Sequence, residues 1–260
     1  MHPSVLVAGA VLTGLLFPAG LSFGSLSQLG TASGRRVELR VYSRTPLERP
    51  IVSGMLREAA RVWRPYGVEL EGYGGAEVGE EPGPPVELVR VVIEGDRPRR
   101  GTGRPSIEAL GWVEFLEPGV PRDVVHVSAG RAARMMAGAS RAGAPLANRT
   151  VEIRRWAMSR ALGRALAHEL GHYLLRSTSH SVRGLMRGDF RRDDLVDERL
   201  DRFGLLPEQH ARLAEVGEAV LMASRAATVE RMAADRSRRM ARPVSRLERT
   251  NSTLARRGAP

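Results

Sequence analysis

The run HELGHYLLRSTSHSVRGLM, residues 168–186, is the stretch that decides how this chain is interpreted. It begins with the pattern H-E-x-x-H, in which His168 and His172 are four residues apart. On a helix these two imidazoles lie one turn apart on the same face, so both can reach one metal ion. Glu169 projects about 100° around the helix from His168, beside that ion. The pattern therefore predicts a helical metal site in which Glu169 can handle protons on a bound water.

Two further residues downstream make the pattern more specific. His180 follows His172 by eight residues, just beyond the expected end of the helix, and Met186 closes the tripeptide Gly-Leu-Met at 184–186. With them, the run resembles the zinc-binding core of metzincin-type zinc peptidases, and it is similar to a divergent bacterial lineage of zincins. The resemblance implies that His168, His172 and His180 bind Zn²⁺. It also implies that Glu169 is the general base and that Met186 forms the methionine turn beneath the metal.

The same resemblance implies a fold and an activity. The fold is expected to be α+β and zincin-like, with a mixed twisted sheet backed by helices and a long active-site helix carrying H-E-x-x-H. The activity is that of a zinc-dependent metalloendopeptidase, which hydrolyses peptide bonds of a peptide or protein substrate with a zinc-activated water. In relatives an extended peptide lies along an edge strand of the sheet. Trp112–Leu116 and Val124–Ser128 are the candidates for that edge.

The chain departs from the usual metzincin pattern in the bend after the helix. That pattern has a glycine seven residues after the first histidine and the third ligand ten after it. Here these positions are Leu175 and Thr178, and His180 lies twelve residues after His168. A bend that is two residues longer could deliver the imidazole to the same place.

An acidic third ligand is the alternative to His180, since other zincins take a carboxylate from a later segment. Four carboxylates lie 25 to 30 residues after His168: Asp193, Asp194, Asp197 and Glu198. The simpler interpretation is that they begin a solvated helix, whose N-terminus favours negative charge. Two further histidines are weaker candidates. His126 is expected at the surface of a strand, and His210 is expected to be solvated on a helix that begins at Pro207 and runs to Leu221.

Hydrophobic periodicity along the chain predicts the surrounding layout. Alternating residues in Val37–Tyr42 indicate a strand, and apolar residues from Ile51 to Tyr66 recur at helical spacing before Gly67. Short strands are then expected at Val68–Leu70, Val86–Ile93, Gly111–Leu116 and Val124–Ser128, followed by a short helix around Met135 and Met136. A proline-free helix from Thr150 to Leu175 carries the motif. This order predicts an α+β domain with a sheet backed by helices.

The composition limits the chemistry and suggests three parts. The chain has 260 residues and no cysteine, which excludes disulfides, thiolate metal ligands and a cysteine nucleophile. Its net charge is +11, and all of its basic residues other than histidine are arginine, since the chain has no lysine. Residues 224–260 contain ten arginines and three acidic residues. We therefore expect a nearly balanced catalytic domain at residues 35–223 and an arginine-rich helical or disordered tail at 224–260.

The N-terminal segment, residues 1–34, lacks charged side chains, and Val5–Leu26 is uncharged over 22 residues. Such a stretch favours a signal peptide or an N-terminal membrane anchor over a buried core helix, and it implies an extracytoplasmic protein that is secreted or membrane-anchored. The membrane is thus a possible partner. Two other function classes stay open as alternatives: a zinc-binding, catalytically silent zincin-fold interaction module at the cell envelope, and nucleic-acid binding through the tail. Nucleic acid is not favoured, because the tail has no aromatic side chain on which bases could stack.

Overall fold

The molecule is a computed structural model that describes residues 34–73, 87–95, 109–141 and 143–240. The strands within these ranges are β1 (Arg35–Ser43), β2 (Val68–Tyr73), β3 (Glu87–Glu94), β4 (Gly111–Glu117), β5 (Val120–Ser128), β6 (Ser140–Arg141) and β7 (Ala144–Pro145). The α-helices are α1 (Arg49–Trp63), α2 (Ala129–Ala137), α3 (Val151–Leu175), α4 (Arg192–Val196) and α5 (Pro207–Met240).

Strands β1 to β5 form one mixed sheet in the order β2-β1-β3-β5-β4. The pairs β1–β2, β1–β3 and β3–β5 are parallel, whereas β4 runs antiparallel to β5. The central strands bury the apolar residues that their sequence alternates or clusters, including Val37, Leu39 and Val91, which are fully buried. The sheet and its helices confirm the predicted α+β class with a mixed sheet backed by helices.

The order of the strands distinguishes the two candidate edge segments. Trp112–Leu116 lies in β4, which is at one edge of the sheet. Val124–Ser128 lies in β5, which pairs with β3 on one side and β4 on the other, so it is not an edge. An edge strand has unpaired backbone groups along one side. Of the two candidate segments, only the one in β4 therefore has a side without a paired strand among the described residues.

Helices α1 and α3 pack closely because glycines lie at their crossing. A Cβ atom on Gly163 of α3 would lie 2.7 Å from the carbonyl oxygen of Met55, and one on Gly54 of α1 would lie 2.6 Å from Ser159 Cβ. Helix α1 ends in a short 3₁₀ turn at 64–66 and stops at Gly67, which has φ +70°. The C-terminal two thirds of α3 are buried on every side, as expected of a central helix.

Helix α5 is longer than the predicted helix that ends at Leu221. It continues to Met240, so residues 224–240 of the predicted tail are helical, and residues 241–260 lie outside the described ranges. Leu213 and Val216 are buried on it, whereas Val220 is half-buried. None of the helices in the described part of the chain has the length and apolar composition of a membrane span. Val5–Leu26 also lies outside the described ranges.

Candidate metal centre

The two histidines of the H-E-x-x-H pattern lie on the last turns of α3, where they face the same side of the helix. Both are buried, with 6% of His168 and 7% of His172 exposed. Their Nε2 atoms are 3.1 Å apart and their rings are nearly perpendicular. The spacing of four residues therefore brings the two imidazoles together as the sequence predicted.

The outer nitrogen of each buried imidazole has a backbone partner. His168 Nδ1 lies 2.8 Å from the carbonyl oxygen of Leu185, and His172 Nδ1 lies 2.7 Å from that of Ser177. A carbonyl only accepts, so each Nδ1 carries the hydrogen and each Nε2 presents a lone pair. Partners of this kind hold a metal-binding imidazole in the correct tautomer and orientation.

His180 reaches the same point after a sharp turn of the chain. Helix α3 is followed by Arg176, which adopts the left-handed conformation with φ 50°, and the Ser177 N–H donates to the carbonyl of His172. The chain then returns so that His180 Nε2 lies 3.2 Å from His172 Nε2. The longer bend thus delivers the third imidazole, and its left-handed residue is an arginine where a glycine is usual.

The three histidines form a donor set that fits a metal cation. One ligand atom from each lies within 4.8 Å of the others. Among the described residues, no other group of three or more histidine, aspartate or glutamate side chains comes together in this way. Burial lowers the pKa of His168 to about 3 and that of His172 to about 4, and it also lowers the pKa of His180. The imidazoles are therefore neutral at pH 7. Lone pairs that face each other at this distance repel unless a cation lies between them.

Glu169 lies beside the histidines in a shared cavity of about 1100 Å³. Only 6% of this residue is exposed, and burial raises the pKa of its carboxyl to about 8. Gly111 of β4 leaves room for it, because a Cβ atom there would lie 2.6 Å from Glu169 Cγ. A buried carboxyl with a pKa near neutrality can both accept and release a proton at pH 7.

Met186 packs under the same turns of α3. It is 1% exposed, and a Cβ atom on Gly171 would lie only 2.2 Å from its sulfur. Its backbone carbonyl accepts a hydrogen bond from the Ser181 N–H at 2.8 Å. The segment 181–187 therefore forms a tight turn beneath the two histidines of the helix.

This contact predicts the effect of adding one methyl group at Gly171. We expect Gly171→Ala to lower the free energy of unfolding by about 1–3 kcal/mol, because the added methyl group would overlap the buried Met186 side chain and force it to move. Urea unfolding measures the change. Gly217→Ala on α5 is the matched control: its Cβ would meet no atom within 4 Å, and it should raise stability by about 0.5–1 kcal/mol. Equal stabilisation of both variants would contradict the packing of Met186 against α3.

The four candidate acidic ligands do not join the histidine cluster. The sequence predicted that these carboxylates are solvated, and this is wrong for Asp194, which is only 4% exposed. Its carboxylate oxygens accept hydrogen bonds from Arg187 at 2.8 Å and from Arg202 at 2.5 Å. It is buried because these two guanidinium groups compensate its charge. Glu198 is exposed and pairs with Arg141, and Asp197 accepts a hydrogen bond from the Arg199 N–H. Asp193 lines the cavity without joining the cluster.

The two other histidines in the described part of the chain lie outside the cluster. His210 is exposed on α5, as predicted, with its ring against Tyr66. His126 is half-buried, so the predicted surface position is only partly correct. Its ring stacks on Trp112 at 4.5 Å, and its Nδ1 lies 3.1 Å from Glu94.

Several residues that shape the site carried no recognisable signal in the sequence. Phe190 packs edge-on against His168, with ring centroids 5.3 Å apart, and stacks on Phe203. The guanidinium of Arg187 lies 4.5 Å from the Phe190 ring centroid. These contacts join segments distant in sequence, and no spacing rule predicts them.

No family model matches this chain, and no curated protein sequence matches it. The interpretation of the site therefore depends on its own geometry.

The position of His180 predicts its contribution to metal affinity. We expect His180→Ala to weaken metal binding by more than about 100-fold, since loss of an outer-shell partner alone typically costs 10–100-fold. Competition with a chromogenic chelator measures the affinity, and His210→Ala is the control, because His210 lies outside the cluster. Unchanged affinity in His180→Ala would mean that another group, such as Asp193 in the same cavity, completes the ligand set.

Proposed function

We propose that this protein is a zinc-dependent metalloendopeptidase and that its fold is a divergent zincin. The observation that carries the proposal is the convergence of three Nε2 atoms beside a buried carboxyl. His168 and His172 are held by carbonyl partners, and Glu169 lines the same cavity. The mixed sheet behind a long helix and the turn at Met186 also support it.

The donor set favours zinc among the common metals. Three neutral imidazoles are a usual ligand set of catalytic zinc, and they leave a further coordination position open for water or substrate. Calcium and magnesium prefer oxygen ligands, and the cluster has none. When bound here, zinc would act as a Lewis acid that acidifies a water molecule and polarises a carbonyl group.

The side chains of the chain perform the remaining steps. His168, His172 and His180 hold the metal, and the carbonyl oxygens of Leu185 and Ser177 hold two of the rings in place. Glu169 accepts the proton of the water that attacks the scissile carbonyl carbon. The same carboxyl then passes that proton to the departing amine as the carbon–nitrogen bond breaks.

The cavity supports a polypeptide as the substrate. Its wall includes Gly111, Trp112, Val113 and Phe115 of β4, which is an edge strand of the described sheet. An extended peptide can add to such an edge by backbone hydrogen bonds, which depend little on the peptide's sequence. This arrangement would present a peptide bond to Glu169 across the cleft.

Metal content and turnover test the proposal together. The protein should bind one zinc ion per chain and cleave unfolded casein. A chelator should stop cleavage, and added zinc should restore it. Folded protein without stoichiometric zinc would overturn the metal site. Zinc binding without cleavage of any peptide would instead support the alternative, a catalytically silent interaction module at the cell envelope.

We propose an extracytoplasmic location, secreted or membrane-anchored, from the uncharged stretch Val5–Leu26. Fractionation of cells that express the full chain tests this. Recovery in the membrane or the medium is the expected result, and recovery in the cytosol would contradict it.

A further inference from the structure

One wall of the cavity around Glu169 is rich in arginine. Arg131 and Arg134 come from α2, and Arg191 and Arg192 come from the start of α4; all four line the cavity. We call these four residues the arginine wall. Arg131 is half-buried and the other three are exposed to solvent. Two separate segments thus contribute cations to the same cleft.

Among the described residues, the lining of the cavity holds more arginines than carboxylates. Asp189 and Asp193 are the carboxylates of the described ranges that line it in addition to Glu169. Asp193 accepts a hydrogen bond from the Ser140 N–H at 3.4 Å. Within the described ranges, no ion pair with an N···O distance up to 4.0 Å involves Arg131, Arg191 or Arg192. The cavity therefore has cationic groups whose charge the neighbouring side chains do not neutralise.

The geometry of α2 brings the two halves of the wall together. Arg134 and Gly138 are four residues apart and share one side of the helix end, and both line the cavity. A Cβ atom on Gly138 would lie 2.3 Å from Arg192 Nη1. The absence of a side chain at Gly138 thus lets the guanidinium of Arg192 lie against the end of α2, on the side that carries Arg134.

We propose that the arginine wall binds acidic side chains of the substrate, so that this peptidase prefers peptides with aspartate or glutamate near the scissile bond. This inference rests on the proposed function, since the cleft is assumed to hold a peptide. Guanidinium groups bind carboxylates through paired, charge-assisted hydrogen bonds. The partly enclosed cleft strengthens the attraction, because less water screens the charges there than at an open surface.

Two quenched fluorescent decapeptides test the preference with zinc-loaded protein. They share one sequence except that glutamate residues in the first flank the central bond and glutamine residues replace them in the second. We expect kcat/KM for the glutamate peptide to be about 10-fold higher, which corresponds to one well-formed charged contact. The ratio should fall with added salt. A double variant, Arg131→Gln with Arg192→Gln, should lower the ratio, because it removes two of the four cations of the arginine wall.

Arg231→Gln is the matched control, because Arg231 is exposed on α5 and does not line the cavity. It removes the same type of charge and should keep the ratio of the native protein. Equal kcat/KM for both peptides in the native protein would overturn the inference and leave the peptidase intact. A ratio in the double variant equal to that of the native protein would also overturn it.

A binding measurement separates this inference from the proposed function. Fluorescence anisotropy with labelled, unquenched versions of the two decapeptides and the Glu169→Gln variant reports affinity without turnover. Tighter binding of the glutamate peptide, reduced in a triple variant that adds Arg131→Gln and Arg192→Gln, supports the arginine wall even if no peptide is cleaved. Equal affinity for the two peptides overturns it, whatever the hydrolysis assay finds.

Discussion

Replacing Glu169 with glutamine should abolish most peptide hydrolysis while leaving zinc bound. The substitution keeps the size of the side chain and removes only the group that accepts the proton of the attacking water. General base catalysis typically contributes 10²–10⁴-fold, so we expect kcat to fall by about that factor. The three histidines are unchanged, and the metal stoichiometry of the purified variant should remain one zinc ion per chain.

Glu215→Gln is the matched control for this experiment. This substitution makes the same carboxyl-to-amide change on α5, where Glu215 is exposed and its Oε2 lies 3.6 Å from Arg212 Nη1. The kcat of Glu215→Gln should equal that of the native protein. Full activity in Glu169→Gln would eliminate Glu169 as the general base. Loss of zinc from the variant would show that the carboxyl also affects metal binding.

Replacing Glu58 with glutamine should produce the largest loss of stability. Glu58 is 7% exposed and accepts from Arg164 Nε at 2.9 Å, and the Arg164 side chain is fully buried. Burial lowers the pKa of Arg164 to about 10, and the charge of Glu58 opposes that shift. Removal of the carboxylate leaves a buried, uncompensated cation. Breaking a buried pair in this way typically costs about 3–5 kcal/mol.

The loss should affect the metal centre as well as the core. Arg164 also donates to the backbone carbonyls of Asp194, Asp197 and Arg199, so it fastens the segment after His180 to α3. Urea unfolding measures the free energy of unfolding with and without zinc. Asp123→Asn is the control, because Asp123 forms an exposed pair with Arg90 at 3.0 Å. It should cost at most about 1 kcal/mol. An equally small cost in Glu58→Gln would refute the role of the buried pair.

The helical part of the candidate site could be predicted because its information is local. Residues four apart on a helix share a face, so the H-E-x-x-H pattern alone brought His168 and His172 together. His180 was harder to predict, since its bend is two residues longer than the usual one. The conformation of Arg176, which a non-glycine residue rarely adopts, decided that the bend delivers the imidazole to the cluster.

The buried ion pairs could not be predicted for the opposite reason. Asp194 occurs in an acidic run of the kind that usually marks a solvated helix start. Its burial depends on Arg187 and Arg202, each of which could have faced solvent. Glu58 and Arg164 are 106 residues apart in the chain, and periodicity contains no information on such a pairing.

The sequence by itself determined the class of the fold, the helix that carries the motif and the residue types that could bind a metal. These follow from local spacing and from the absence of cysteine, and they need no knowledge of distant contacts. Only the tertiary structure decided that β4 rather than β5 lies at an edge of the described sheet, that His180 rather than one of the four carboxylates joins the histidine cluster, and that four arginines line one cleft. The reason is physical: strand order, burial and charge pairing depend on which distant segments pack together, and that choice minimises the free energy of the whole chain rather than of any one segment.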